Sequence, residues 1–347
     1  MADRIRLGLI GAGGFTKNRI LPNFQKLPDI DVVVVCNRHL ESAEQVAEQF
    51  NIPDATDDYR TVLERADVDA VFIGTPPYLH KEAVLGALDT GKHVLCQTRI
   101  ALSPEEAHEM HEAAQAAAKR GVKAMLARPA PYARYQKYVS HLIETGYFGE
   151  LRQVMSYCIW PNYANRETPR DYRQTHGVFG PYNAMQLGLY WDVMSPWVGT
   201  AQRVLAHGHT FVTERPESPG GPLAPVEKPD SITAIAETDR GIVASNVQWW
   251  AGLFGTSRVE LYGSEATLVY FNQDDALTGA RLGDSQLTPL TVPPEMDDPW
   301  HVEADFAALI RGDIDEAPFT FLDGIRNMEY LKAVNESITH GRWAQVG

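Results

Sequence analysis

Between Ile5 and Thr16 the chain reads IRLGLIGAGGFT, an apolar run that leads directly into Gly11-Ala12-Gly13-Gly14-Phe15-Thr16. That order suits a dinucleotide phosphate. A buried strand ending in a tight turn needs Gly11 to reverse the backbone and Gly13 to let a pyrophosphate approach without a Cβ in the way. The following helix, expected over about residues 17–26, aims its free amides at the anion. The third fingerprint position is Thr16 instead of Gly or Ala. That position governs helix-to-strand packing and not phosphate contact, so the match is weakened without being abolished, and the cofactor-binding candidates at this turn are Gly11, Gly13, Gly14, Phe15 and Thr16. A glycine-rich turn in another α/β fold reads the same over these residues alone.

The second apolar run, Asp31-Val32-Val33-Val34-Val35-Cys36, ends in Asn37 and Arg38, and Asn37 lies 24 residues after Gly13. A ribose-reading residue belongs there. An NAD site usually places Asp or Glu at that point, to accept from the 2′-hydroxyl and repel a 2′-phosphate. A neutral Asn37 followed by a cationic Arg38 favours NADP. The other reading is that Arg38 stacks on adenine and both cofactors bind.

The elements that must hold these residues can be read from the same chain. At 347 residues it is long for one core and suits two domains. A net charge of −14 argues against nucleic acid or an anionic membrane as partner, since either would need a basic face. Cys36, Cys96 and Cys158 lie far apart, read as buried small hydrophobes in a reducing compartment, and lack metal-ligand spacing, so no metal is expected. The first strand starts within a few residues of Met1 and no apolar run approaches the roughly 20 residues of a membrane span, so a cytoplasmic protein is expected.

Strand and helix alternate as far as residue 126, with a helix at 40–50, a strand at 70–74, a helix at 81–90, a strand at 93–96, a helix at 104–120 and a strand at 122–126. This predicts a doubly wound parallel sheet of Rossmann type over residues 1–126. Strand-like stretches then adjoin one another at 230–250 and 258–271, which predicts an open-faced, mainly antiparallel sheet in a second α/β domain, 127–347. The proline-rich stretch 215–229 reads as a surface loop with no core of its own. Helices at 299–311 and 321–340 are expected to pack back on the first domain. Trp249 and Trp250 are consecutive, so one of them must face outward and needs a cover, which predicts a homodimer or homotetramer.

The GLIGAGG turn, Gly74-Thr75-Pro76-Pro77 with His80 beyond it, Gly91-Lys92-His93-Val94-Leu95-Cys96, Val259-Glu260-Leu261-Tyr262-Gly263 and Phe321-Leu322-Asp323-Gly324 occur in order. Together they resemble the glucose-fructose oxidoreductase, inositol dehydrogenase and rhizopine-catabolism (Gfo/Idh/MocA) family of NAD(P)-dependent oxidoreductases over nearly the whole length. The resemblance implies a nicotinamide cofactor, a sugar or polyol substrate, and Thr75, Pro76, His80, Gln97 and Thr98 at the cofactor.

The chain also departs from that family. Its usual Glu-Lys-Pro is Gln97-Thr98-Arg99 here, and Thr98 cannot supply the charge of the family lysine. Arg99 can stabilise an alkoxide but does not titrate, so it is no base. The family's Asp-x-Gly-x-His matches Gln186-Leu187-Gly188-Leu189-Tyr190. A tyrosine replaces the histidine in some members, which makes Tyr190 the leading acid–base candidate; its other reading is a core aromatic beside Trp191 and Trp197. On a continuous helix Asn183 shares the face of Tyr190 and Asp192 does not. In the polar, aromatic stretch 160–176, Tyr163, Arg173 and His176 have the types a sugar pocket uses, and His176 titrates near neutrality; a solvated loop has the same composition. Arg128 matches a family arginine and equally fits a structural ion pair.

The expectation is hydride transfer between nicotinamide and a sugar or polyol carbinol. Catalytic roles fall to Tyr190, Arg99 and His176, and substrate contacts to Arg128, Tyr163, Arg173, Asn183, Gln186 and Asp192. Loss of the lysine leaves two rivals: a net non-redox lyase or hydrolase reaction on tightly held NAD, and a sugar-binding sensor without catalysis.

Overall fold

The computed structural model describes residues 4–128, 133–184, 186–271 and 276–347. They form two compact units, one of residues 1–128 with 301–325 and the other of 129–300 with 326–347.

In the first unit six parallel strands, β1 (Ile5–Ile10), β2 (Ile30–Cys36), β3 (Asp54–Thr56), β4 (Ala70–Ile73), β5 (His93–Gln97) and β6 (Ala124–Ala127), lie in the order 3-2-1-4-5-6. Leu7, Leu9, Val35, Val71, Phe72 and Leu95 are fully buried, as expected of parallel strands that are covered on both faces and so read as unbroken apolar runs. The order reverses between β1 and β4, and a crevice opens there beyond the carboxyl ends of the strands. β3 has three residues, too few to carry a periodic signal.

The expected boundary at 126/127 gives way to a discontinuous unit, because the chain returns to the first unit over 301–325. Helix Val302–Arg311 buries Phe306, Glu303 accepts from Asn23 at 3.4 Å, Arg311 pairs with Asp29, and the Leu126 amide donates to the Phe319 carbonyl at 3.0 Å. The last helix, Phe321–His340, passes into the second unit at Arg326.

The second unit holds β7 (Leu151–Ile159), β8 (Ala201–His209), β9 (Glu214–Pro216), β10 (Leu223–Pro225), β11 (Ser231–Thr238), β12 (Val243–Trp249), β13 (Arg258–Gly263), β14 (Ala266–Phe271), β15 (Ala276–Arg281), β16 (Thr288–Pro289) and β17 (Ala344–Gln345). Nine of them form a sheet in the order 16-15-14-13-7-12-11-8-17, antiparallel throughout except for the β7–β12 pair. Side chains alternate: Ala244, Asn246 and Gln248 face in, while Val243, Val247 and Trp249 face out. Trp249 is 41% exposed, whereas Trp250 is buried and stacks on Tyr163 with ring centroids 5.5 Å apart. The proline-rich stretch is more ordered than its composition suggests. β9 and β10 make a hairpin across it, and Arg215 is wholly buried, donating to the carbonyls of Tyr163, Asn165 and Thr168.

Candidate active site

The crevice of the first unit is shaped by four glycines with opposite requirements. Gly11 has φ of +91°, and a Cβ on it would lie 2.6 Å from the Thr75 amide nitrogen; a Cβ on Gly74 would lie 2.7 Å from the Gly11 carbonyl oxygen. These two let the turns after β1 and β4 interlock. A Cβ on Gly13 or Gly14 would meet nothing within 4 Å, and both residues are exposed. They leave a backbone surface onto which a phosphate can settle. Thr16, 1% exposed, donates its hydroxyl to the Gly11 carbonyl at 3.0 Å, so the departure at the third fingerprint position fastens the turn. Phe15 stands exposed beside it, and the Lys17 amide donates to Gly13 at 2.9 Å as the helix begins.

Asn37 is half-buried, and its amide bridges two segments. Oδ1 accepts the Ala12 N–H at 2.8 Å and Nδ2 donates to the Ser42 carbonyl at 3.1 Å. It therefore holds the glycine turn against the end of β2. Arg38, next in the chain, is exposed and makes no hydrogen bond or ion pair among the described residues, which leaves its guanidinium available to a ligand.

At the carboxyl ends of β4 and β5, Thr75, Pro76, Gln97 and Thr98 are half-buried. Thr75 Oγ1 and Gln97 Oε1 are buried without a hydrogen-bond partner among the described residues, although buried polar atoms are normally paired. An open phosphate cradle and two unsatisfied polar atoms at the strand ends fit a dinucleotide lying across this crevice. Arg99 is buried, the Thr98–Arg99 peptide is cis, and Arg128 is half-buried just past β6. His80 is 1% exposed, with Nδ1 3.0 Å from the Ile100 carbonyl and Nε2 2.7 Å from that of Thr75. Both ring nitrogens face backbone carbonyls, so the ring braces the turns and presents no open nitrogen to the crevice. Burial, with Arg99's charge adding, pushes its pKa below the ordinary histidine value.

In the second unit the candidates cluster around helix Leu187–Val198. Tyr190 is 1% exposed and lies beside Cys158, whose thiol pKa burial pushes up to about 12. Asn183 precedes the helix, so its seven-residue spacing does not put it on the face of Tyr190. It is buried, and its Nδ2 donates to the Phe179 carbonyl at 2.6 Å. Asp192 is buried and accepts from Asn327 Nδ2 at 2.6 Å, and the same amide donates to Gly188 at 2.7 Å. Trp191 stacks on Tyr330 at 4.0 Å. Asp192 is thus engaged in fastening the helix, and Asn183 in holding the one-turn helix His176–Phe179 that precedes it. Gln186 is half-buried at the helix start, where the Gln186 and Leu187 amides both donate to Gln248 Oε1 at 2.8 Å.

The stretch 160–176 is built, not loosely solvated. The Tyr163 hydroxyl donates to Asp171 Oδ2 at 2.5 Å and Arg173 donates to the same oxygen at 2.8 Å; burial first, and then the Asp171 carboxylate, raise the tyrosine's pKa against the opposing charge of Arg173. Arg173 stays half-exposed over the Tyr172 ring. His176 is exposed at the start of a one-turn helix, and partial burial and then Lys228 lower its pKa. Gln248, Asn327 and Asp171 were not among the sequence candidates. The available signal was in β12, where Asn246 and Gln248 occupy inward positions of an alternating strand.

Comparison with known proteins places both units. The family model for the oxidoreductase family with an NAD-binding Rossmann fold matches residues 5–126, and that for the GFO/IDH/MocA C-terminal domain matches 137–269. Levoglucosan dehydrogenase of Pseudarthrobacter phenanthrenivorans is 26% identical over 307 residues, covering 81% of this chain and 77% of that protein. The dTDP-3,4-didehydro-2,6-dideoxy-alpha-D-glucose 3-reductase of Actinomadura kijaniata is 30% identical over 228 residues, 62% of this chain and 66% of its own. A solved structure of levoglucosan dehydrogenase with NADH and L-sorbose shares the fold at a TM-score of 0.87 and 22% identity, covering 99% of both chains.

Proposed function

The chain belongs to the Gfo/Idh/MocA family of oxidoreductases, and from that premise we propose that it is an NAD(P)-dependent dehydrogenase of a sugar, sugar derivative or polyol. The observation that carries the reading is the crevice of the first sheet, where Gly13 and Gly14 leave an open backbone cradle. The sugar class is supported by the relatives, whose names are those of sugar enzymes. When bound, the nicotinamide supplies the partner for hydride exchange with the carbinol carbon.

The preferred cofactor in this proposal is NADP. Arg38 is exposed and unengaged next to a neutral Asn37, and no carboxylate stands at the ribose position to repel a 2′-phosphate. Gly13, Gly14 and the amides that follow receive the pyrophosphate, and Thr75, Pro76, Gln97 and Thr98 receive the nicotinamide end.

Thr98 cannot carry a charge, and Arg99 keeps its own through any cycle. In this proposal Arg99 is the group that stabilises a developing alkoxide, and Tyr190, ionised to its phenolate, is the group that takes the carbinol proton. His176, exposed and titratable, is the alternative proton acceptor. Arg173 and Gln186 of the second unit, and Arg128 of the first, retain exposed surface and are the candidates for the substrate hydroxyls, while Tyr163 is held beside Arg173 by Asp171. The outward face of the second sheet, with Trp249, Ile235 and Tyr262 exposed, buries against a second copy in a homodimer or homotetramer; a monomer by light scattering at micromolar concentration overturns that part. Among the described residues no helix is long and apolar enough to cross a membrane, and a cytosolic location, with three buried free cysteines, completes the proposal.

The test is to screen the purified protein with NADP and NAD against a panel of sugars and polyols, following reduced cofactor, after mass spectrometry of whatever co-purifies. Net reduction with one substrate class supports the reading. Tightly retained NAD with no net reduction, or sugar binding without any cofactor, overturns it in favour of a non-redox enzyme or a sensor.

A further inference from the structure

We propose that His80 is a positioning residue for the nicotinamide end of the cofactor, one imidazole acting as a crossbar between the turn after β4 and the turn after β5. The inference rests on the dinucleotide reading of the crevice. β4 and β5 are neighbours whose ladder ends at Ile73 and Cys96. Beyond that point the two turns must keep their spacing by other means, and His80 reaches both, with Nε2 2.7 Å from the Thr75 carbonyl and Nδ1 3.0 Å from the Ile100 carbonyl.

The geometry suits a crossbar. His80 is the first residue of helix His80–Asp89, so its backbone is held by an ordered element, and at 1% exposure its ring has no freedom to leave. The turns it joins carry Thr75 Oγ1 and Gln97 Oε1, the two buried polar atoms without partners at the strand ends. Moving one turn by an ångström would misplace one of those atoms relative to the other. His80 therefore acts through the turns and not on the reacting atoms, and its effect should fall on the nicotinamide half of the cofactor while the glycine cradle, fastened separately by Thr16 and Asn37, stays as it is.

The test compares two probes on the full-length protein: NADPH, and ADP-ribose 2′-phosphate, which lacks the nicotinamide. His80→Leu removes both contacts, and His80→Gln restores an amide donor to one of them. The neutral imidazole donates to one of the two carbonyls and packs against the other, and losing that hydrogen bond with the spacing it sets should weaken NADPH about fivefold or more. The fragment should change by less than about twofold, and the fluorescence of bound nicotinamide should shift toward that of the free cofactor. His80→Gln should recover part of the loss, and it carries the comparison alone if the leucine variant does not fold. Equal weakening of both probes, or no weakening of either, overturns the inference while the cofactor reading stands. If the unaltered protein binds neither probe, the cofactor reading falls and this inference with it.

Discussion

The glycine turn of the first unit and helix Leu187–Val198 of the second both match short family motifs, yet their side chains are used in opposite ways. At the glycine turn the functional feature is what is missing: Gly13 and Gly14 have open space where a Cβ would be, and the polar side chains nearby, Thr16 and Asn37, brace the backbone. At the helix the motif positions are filled, and most of their polar atoms are spent on the fold. Asp192 is bound by Asn327, and the helix start is capped by Gln248 from β12. A motif made of absences leaves its backbone open whatever side chains surround it. A motif made of polar side chains can be absorbed by the core, and only the structure tells which has happened.

The sharpest way to break this comparison is at Tyr190, the motif side chain assigned to proton transfer. Tyr190→Phe keeps the ring and its packing and removes only the hydroxyl. Turnover on an identified substrate should drop roughly 10²-fold or more, with Tm and cofactor affinity little changed. Full activity in this variant, together with loss of activity in His176→Ala, would move the acid–base role to His176 and leave Tyr190 as a core aromatic.

The glycine turn can be tested at two neighbouring positions. Gly13→Val puts methyls into open space, so stability should change by no more than about 0.5 kcal/mol while cofactor affinity falls about 10- to 10²-fold. Gly11→Ala should do the reverse in kind, because φ of +91° and a 2.6 Å contact with Thr75 strain any Cβ there, and Tm should fall. Thermal melts paired with cofactor titration separate the two. A Gly13 variant that binds as tightly as the parent would show that the phosphates lie elsewhere.

The same contrast explains what the sequence made legible. β1, β2, β4 and β5 are continuous apolar runs and could be placed from them, and the antiparallel second sheet followed from strands without crossover helices. β3 escaped notice because three residues show no period. The face-sharing argument for Asn183 failed because the helix starts at Leu187, four residues after it. Asp192 and Asn327 are 135 residues apart in the chain, and Gln248 lies 61 from the amide of Leu187 that it caps, so no local pattern could reveal either contact. The return of 301–325 to the first unit is legible only in part, since an amphipathic helix announces that it packs but not on what.

A smaller effect is expected at Asn37. Asn37→Asp keeps the oxygen that accepts the Ala12 amide but loses the donor to Ser42 and adds a negative charge beside Arg38. If a 2′-phosphate sits there, NADP should weaken by roughly tenfold relative to NAD, one charge contact's worth. An unaltered ratio of the two affinities in titration would show that Asn37 serves only to brace the turn, which would bring the ribose site into line with the structural polar groups of the second unit.

The smallest effect expected is acid lability of the first unit. His80 and His93 both have pKa values lowered, by burial first, and His93 Nδ1 accepts the Lys123 amide at 2.9 Å, a bond that protonation of that nitrogen destroys. The sign follows from proton uptake. Below the ordinary histidine pKa of about 6.5 the unfolded chain binds protons that the folded rings resist, so stability falls as pH drops, until the folded rings themselves ionise. A second, separate loss belongs at lower pH, where Asp69, held below the ordinary carboxylate range by its hydrogen bond from Arg6, is finally protonated. Melts between about pH 7 and pH 5 should therefore show a falling Tm that flattens in His80→Gln and in His93→Gln. His176 is lowered in the same direction but is exposed, where solvent weakens the effect, so His176→Gln should leave the slope nearly as it was. A slope that vanishes with His176 and persists without His80 and His93 would place the acid-sensitive element in the second unit instead.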